Sequence, residues 1–172
     1  MTKNTKIIAL STLILIAAMA RLLPHPANFS PIGAMAIFGG VYYTKKWLAF
    51  VAPFAAMVLS DFMLPYGFYE GIFWVYGAFA LSVIVGFGLK SNANPVSLFL
   101  GTLFSAIGFF VITNFGVWYS SNFYSHDAQG FIACFVAAIP FFKNAVLGDL
   151  CYVALLFGGY ELLKLRLPAL QK

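Results

Sequence analysis

PIGAMAIFGGVYYTKK, residues 31–46, is the stretch whose reading decides the fold. Pro31–Tyr43 carries no charge, and the basic pair Lys45–Lys46 follows it at once. Such a run reads as a membrane helix whose basic end stays in the cytoplasm. At 1.5 Å per residue it is only ~20 Å long, against a hydrocarbon core of ~30 Å. With one end pinned by lysines, the other stops short of the outer surface. Pro24–Ser30, just before it, is then expected to be recessed. Lipid tolerates irregular backbone at that depth only where protein buries it or a watery cavity borders it. The loop is therefore a candidate lid or wall; an ordinary turn over a thinned bilayer is the alternative.

Outward from this stretch the chain stays apolar. Of 172 residues, 62% are hydrophobic and 9% charged, and the mean hydropathy is +0.91. No soluble core of this size hides so much apolar surface, so residues 1–172 form a single integral membrane domain of the all-α class, with the lipid bilayer as solvent. Six spans are expected, at 7–23, 31–43, 47–64, 71–89, 96–119 and 141–163. Residues 131–139 are a further apolar segment, too short to cross as a helix.

The net charge of +5 does not point to nucleic acid, because the basic residues sit at segment ends and form no stripe. With the N-terminus inside, Lys3, Lys6, Lys45, Lys46, Lys90, Lys164, Arg166 and Lys172 are cytoplasmic, and both termini are cytoplasmic. Arg21, Glu70, Asp127 and Lys143 then face outward. Tyr42, Tyr43 and Trp47 fall at the inner interface, and Trp74, Trp118 and Tyr119 at the outer. Lys3, Lys6 and the AMAR of residues 18–21 also fit a cleavable signal, but the apolar run continues through Leu23, which favours a retained span.

In this topology polar groups converge on the outer half. Ser60 and Asp61 end span three, Asn114 and Trp118 share a face of span five, and Lys143, Asn144 and Asp149 lie in the outer part of span six. With Arg21, His25 and Asn28 of the loop, they make a candidate ligand-binding set. Charged residues within spans are costly and mark function or structural pairs, such as Asp149 with Lys143. Small residues repeat elsewhere, at Ala78, Ser82 and Gly86, at Ala52 and Ala56, and at Gly101 and Ser105, and read as internal helix packing. Cys134 and Cys151 read as buried free thiols.

The sequence has no phosphate-binding G-x-x-x-x-G-K-[ST] loop, no H-E-x-x-H or C-x-x-C pair, and no G-x-S-x-G elbow. His126–Asp127 is a weak fragment for base or metal chemistry, since adjacent residues rarely address one ligand. No cofactor, metal site or catalytic residue is expected.

The stretches PHPANFSPIGAMAIFGG, LSDFML, FFVITNFGVWY and AAIPFFKNAVLGDLCYVALLFG resemble the recurring motifs of an uncharacterised family of short bacterial integral membrane proteins. More distantly, the size, six spans and the order of a glycine-rich second helix, lysines and an apolar helix ending in Ser-Asp are similar to the S components of energy-coupling-factor transporters. That resemblance implies an S-component-like bundle that captures vitamins or other micronutrients. It casts Arg21–Ser30 as the closing loop and Asn114, Trp118, Lys143 and Asn144 as wall residues. It further implies a membrane coupling subunit and two ATPases as partners, and a bacterial inner-membrane location. The first span carries only a loose set of Ala9, Ser11, Ala17 and Ala18 in place of an A-x-x-x-A docking patch, and Thr2 stands where nickel and cobalt members have a histidine.

The expected function is a membrane binding or uptake subunit for a small polar or anionic solute that tolerates aromatic neighbours. A structural or assembly protein without a transported ligand is the alternative, and a membrane enzyme using Asp61, His126 or Asp149 is the third reading.

Overall fold

The computed structural model describes residues 3–64, 71–167 and 170; Thr2, Glu70 and Lys172 lie outside them. Among the described residues there are six α-helices: α1 (Lys3–Met19, prolonged by a 3-10 turn at Ala20–Leu22), α2 (Ile32–Tyr42), α3 (Lys46–Met63), α4 (Ile72–Leu89), α5 (Pro95–Ser120) and α6 (Ala128–Arg166). Five of them are long and apolar enough to cross a membrane, and α2 is the short one.

α2 is the axis of the bundle. Ile32 through Val41 are all buried, and α2 packs on each of the other five helices. A helix apolar on every side is stable only away from water, in lipid or inside other helices, and this one is walled in by its own chain. With 11 residues it is ~16 Å long. Close packing at its C-terminal half depends on glycine. A Cβ on Gly40 would stand 2.8 Å from the Gly86 Cα, and one on Gly86 would stand 2.9 Å from the Gly40 Cα. The backbones of α2 and α4 therefore touch, the small-residue contact that drives helix association in lipid. Ala78, Ser82 and Gly86 all face inward, and Ser105 of α5 donates to the Ser82 hydroxyl at 2.7 Å.

Residues 131–139 are not a separate segment. They belong to α6, a continuous helix of 39 residues, ~58 Å long, that passes through Pro140. Proline removes one hydrogen bond, but an unwound turn in lipid would free several backbone groups with no water to satisfy them. Continuity is the less costly choice. Of the two cysteines, Cys134 is buried as expected, whereas Cys151 is exposed on the apolar exterior; both are free thiols.

The helix ends divide the bundle into two poles. At one, α2 and α4 end near the start of α1: Lys90 Nζ donates to the Tyr43 carbonyl at 2.9 Å, and Tyr43 shares a 2.7 Å hydroxyl contact with Ser11. Lys164 caps this pole beside Glu161 at 2.6 Å and over the Tyr42 and Tyr160 rings. At the other, α1, α3 and α5 end and α2 and α4 begin. α4 starts there from Gly71 with φ +88, a left-handed conformation that glycine adopts without strain.

Gly40→Ala or Gly86→Ala should lower the resistance of the protein to unfolding in mixed micelles by about 1–3 kcal/mol through overpacking. Gly88→Ala, where an added Cβ meets nothing within 4 Å, should leave it within about 0.5 kcal/mol.

Candidate functional site

The first turn of α2 begins inside the protein, where its free N–H groups need a partner. Pro31, which precedes it, has no N–H and offers no side-chain cap. Asp149 of α6 supplies the missing acceptor. Its Oδ1 receives the Ala34 N–H at 3.2 Å, and the Gly33 N–H faces the same carboxylate. The helix dipole favours a negative charge at this position. Gly33 permits the approach: a Cβ there would lie 2.5 Å from Asp149 Oδ2.

Arg21 and Asp61 form the second charged unit. Arg21 Nη2 lies 2.7 Å from Asp61 Oδ1, with side chains 11% and 6% exposed. The guanidinium also donates to the Ser60 hydroxyl and to the Met57 carbonyl, and the Tyr76 hydroxyl donates to Asp61 Oδ2 at 2.8 Å. This network ties the end of α1 to α3 and α4. Every charge in it has an opposite partner, as a low-dielectric site demands.

The loop between α1 and α2 is tied down on its α6 side. Asn144 Nδ2 donates to the Ala27 carbonyl at 3.0 Å, and the Gly148 backbone packs closely on Phe29 and Ser30, whose backbone a Cβ there would meet at 3.0–3.2 Å. Phe29 packs on Tyr152 with ring centroids 6.0 Å apart. Asn28 turns the loop with φ +63, a conformation asparagine tolerates better than most residues. His25 Nδ1 lies 2.9 Å from the Pro26 carbonyl.

Between this loop and helices α3 to α6 lies a cavity of about 550 Å³, inside the range of small-molecule sites. Six of the nine sequence-derived residues line it: Arg21, His25, Asn28, Asp61, Asn114 and Asp149. Three do not. Trp118 donates from Nε1 to the Ser125 carbonyl at 3.0 Å and packs edge-on against His126 and Phe131, so it holds the α5–α6 turn. Asn144 anchors the loop, as above. Lys143 is exposed, and among the described residues it is not within ion-pair distance of Asp149. Among the described residues the Lys143–Asp149 pair is absent, and the charged pair lining the cavity is Arg21–Asp61.

Sequence reasoning missed the apolar wall. Phe109, Phe110, Phe141 and Phe142 line the cavity, with Phe110 and Phe142 centroids 4.9 Å apart. Thr113 and Asn114 each spend a polar group on the preceding helical turn, at the Phe109 and Phe110 carbonyls. The i, i+4 spacing that joined Asn114 to Trp118 held no signal for which side of α5 faces inward, because phenylalanine is frequent on all sides of it. His126 and Asp127 lie outside the cavity lining. Asp127 caps α6 through the Gly130 N–H at 2.8 Å and accepts from the Ser125 hydroxyl at 2.9 Å. The Gly130 bond, then the Ser125 bond, holds its carboxyl below the usual carboxylate range. The stability that this cap contributes is therefore fully present above the unfolded carboxylate pKa and is lost as pH falls through the lowered folded-state pKa.

Six helices, five of them long and apolar enough to cross a membrane, with a charged, phenylalanine-walled chamber between them, suggest a multi-pass α-helical membrane protein with an internal cavity of small-molecule size. The chain belongs to the family described as "Family of unknown function (DUF6580)", which matches residues 1–170. No curated protein and no solved structure matches the chain.

Removing one member of the Arg21–Asp61 pair, by Arg21→Met or Asp61→Asn, should cost about 3–5 kcal/mol of stability, because the other charge is left desolvated. The double variant should recover most of that loss. Equilibrium unfolding in mixed micelles measures both, and single-variant costs below about 1 kcal/mol would mean that water already solvates the pair.

Proposed function

We propose that this protein is an integral membrane small-molecule binding or uptake subunit, with its site open to the outside. The observation that carries the reading is the 550 Å³ cavity that brings Arg21, Asp61 and Asp149 together among apolar helices. A membrane protein that needed these charges only for packing would close the bundle around them. A chamber lined by charged groups and aromatic rings is instead the usual design of a solute site.

Orientation follows from charge. Lys6, Lys90 and Lys164 are within Coulombic reach of one another at the pole opposite the cavity. By the positive-inside rule that pole is cytoplasmic, which sets both termini in the cytoplasm and the cavity toward the exterior. The resemblance to S components would place the protein in a bacterial inner membrane. In an S-component-like role it would hand its ligand to a coupling subunit driven by two ATPases. The α1–α2 loop is the natural closing element: His25, Asn28 and Ser30 border the chamber, and its free side faces solvent.

Single cysteines at Ser91 and Ser125, in a cysteine-free background, should be labelled by an impermeant reagent from opposite sides of intact cells, Ser125 from outside. Labelling of both from outside would overturn the orientation.

Mass spectrometry of purified wild-type protein should reveal a co-purified small molecule that is depleted in Ala145→Trp, which places a large ring in the chamber. Equal recovery from a folded Ala145→Trp variant would remove the chamber from the binding account.

A further inference from the structure

We propose that the chamber selects an organic cation, a compact ammonium or amidinium head on an aromatic or apolar body, with Asp149 as the anchor for the head. The proposal rests on the binding-chamber reading and names its ligand class.

The charges of the lining do not cancel. Among the described residues, two carboxylates, Asp61 and Asp149, face one guanidinium, Arg21, for a formal charge of −1 with His25 counted neutral. Arg21 is already committed. Its two terminal nitrogens are engaged by Asp61, Ser60 and Met57, and Tyr76 completes Asp61. An anionic ligand would meet a guanidinium already paired with Asp61 and would compete with that buried pair. The sequence alone suggests a polar or anionic solute, with Arg21 and Lys143 among the candidate binding residues. In the folded chain one is neutralised and the other is exposed outside the chamber.

Asp149 is the group left over. It is 7% exposed, it lines the chamber, and among the described residues no lysine, arginine or histidine nitrogen lies within 4.0 Å of it. Its only compensation is the start of α2, equivalent to roughly half a positive charge, which leaves roughly half a negative charge facing the space. A carboxylate in a desolvated site is stabilised by pairing with a cation, and here the protein supplies none. The rest of the wall suits the body of such a ligand. Phe109 and Phe110 of α5 and Phe141 and Phe142 of α6 give flat apolar surfaces, whose π faces also attract a cation. The chamber thus offers both charge and rings.

The test uses three probes of matched shape, benzylammonium, benzyl alcohol and benzoate, titrated into the detergent-solubilised full chain with thermal unfolding as readout. Benzylammonium should stabilise saturably, at concentrations at least about 10-fold below those needed for either other probe. Asp149→Asn keeps an oxygen for the Ala34 N–H while removing the charge, and should weaken benzylammonium by about 10- to 100-fold with little change for benzyl alcohol. Benzoate or benzyl alcohol binding as tightly as benzylammonium, with binding lost in Ala145→Trp, would overturn the cation and leave the chamber standing. Benzylammonium binding that survives Asp149→Asn unchanged would overturn the anchor. Absence of stabilisation by benzylammonium in the wild-type protein would overturn the proposal whether or not the variant folds. Stabilisation by any probe that persists in Ala145→Trp would count against the chamber itself.

Discussion

The structure depends on one hydrogen-bonded charge: the Asp149 carboxylate set against the first turn of α2. A helix that begins within the apolar interior has N–H groups with nowhere to go, and each would cost several kcal/mol in hydrocarbon. Pro31 removes one of them, and Asp149 takes the next available set. Once α6 has capped α2, Gly33 and Gly148 bring the two helices and the α1–α2 loop together without intervening side chains. The short helix can then serve as the axis on which the five long helices pack.

A short axis has a geometric consequence. Five helices surround it, and α2 spans only ~16 Å, so the bundle has no central helix over the rest of its height. The volume above Ile32 must be filled by the loop or by side chains, or stay open. The loop covers part of it, and the phenylalanines of α5 and α6 line what remains. The chamber is thus the space left by a helix that stops early. Its floor is the α2 start, and for that reason Asp149 is both a cap and a lining residue.

Much of this geometry was legible in the sequence, and for identifiable reasons. The shortness of Pro31–Tyr43 is a count of residues, which needs no knowledge of tertiary contacts. The convergence of Arg21, His25, Asn28, Asp61, Asn114 and Asp149 followed from depth alone, since residues at one level of a small bundle are close together. Pairing and facing were not legible. Lys143 and Asp149 lie six residues apart on one helix, a spacing that turns them to different sides, and Asp149 is claimed by α2 from across the bundle. The partner of Arg21 was hidden because 40 residues separate it from Asp61 and only the packing of α1 on α3 joins them. Trp118 and Asn144 were placed at the right depth but on faces turned to the α5–α6 turn and to the loop. The continuity of α6 was hidden by Pro140, which marks a break in water more reliably than in lipid.

The two charged units of the chamber differ in what they leave for a ligand. Arg21–Asp61 is closed: each member has a partner of opposite sign, and hydroxyls from Ser60 and Tyr76 fill further positions. Its contribution is to hold α1, α3 and α4 in register at the rim. Asp149 is open, because backbone N–H groups neutralise a carboxylate only in part. Where a buried charge is fully matched, it acts as structure, and removing one partner is what hurts. Where it is matched only in part, the remaining field is available to whatever enters the space. The asymmetry between the two carboxylates, more than the presence of charge, gives the chamber its chemical preference.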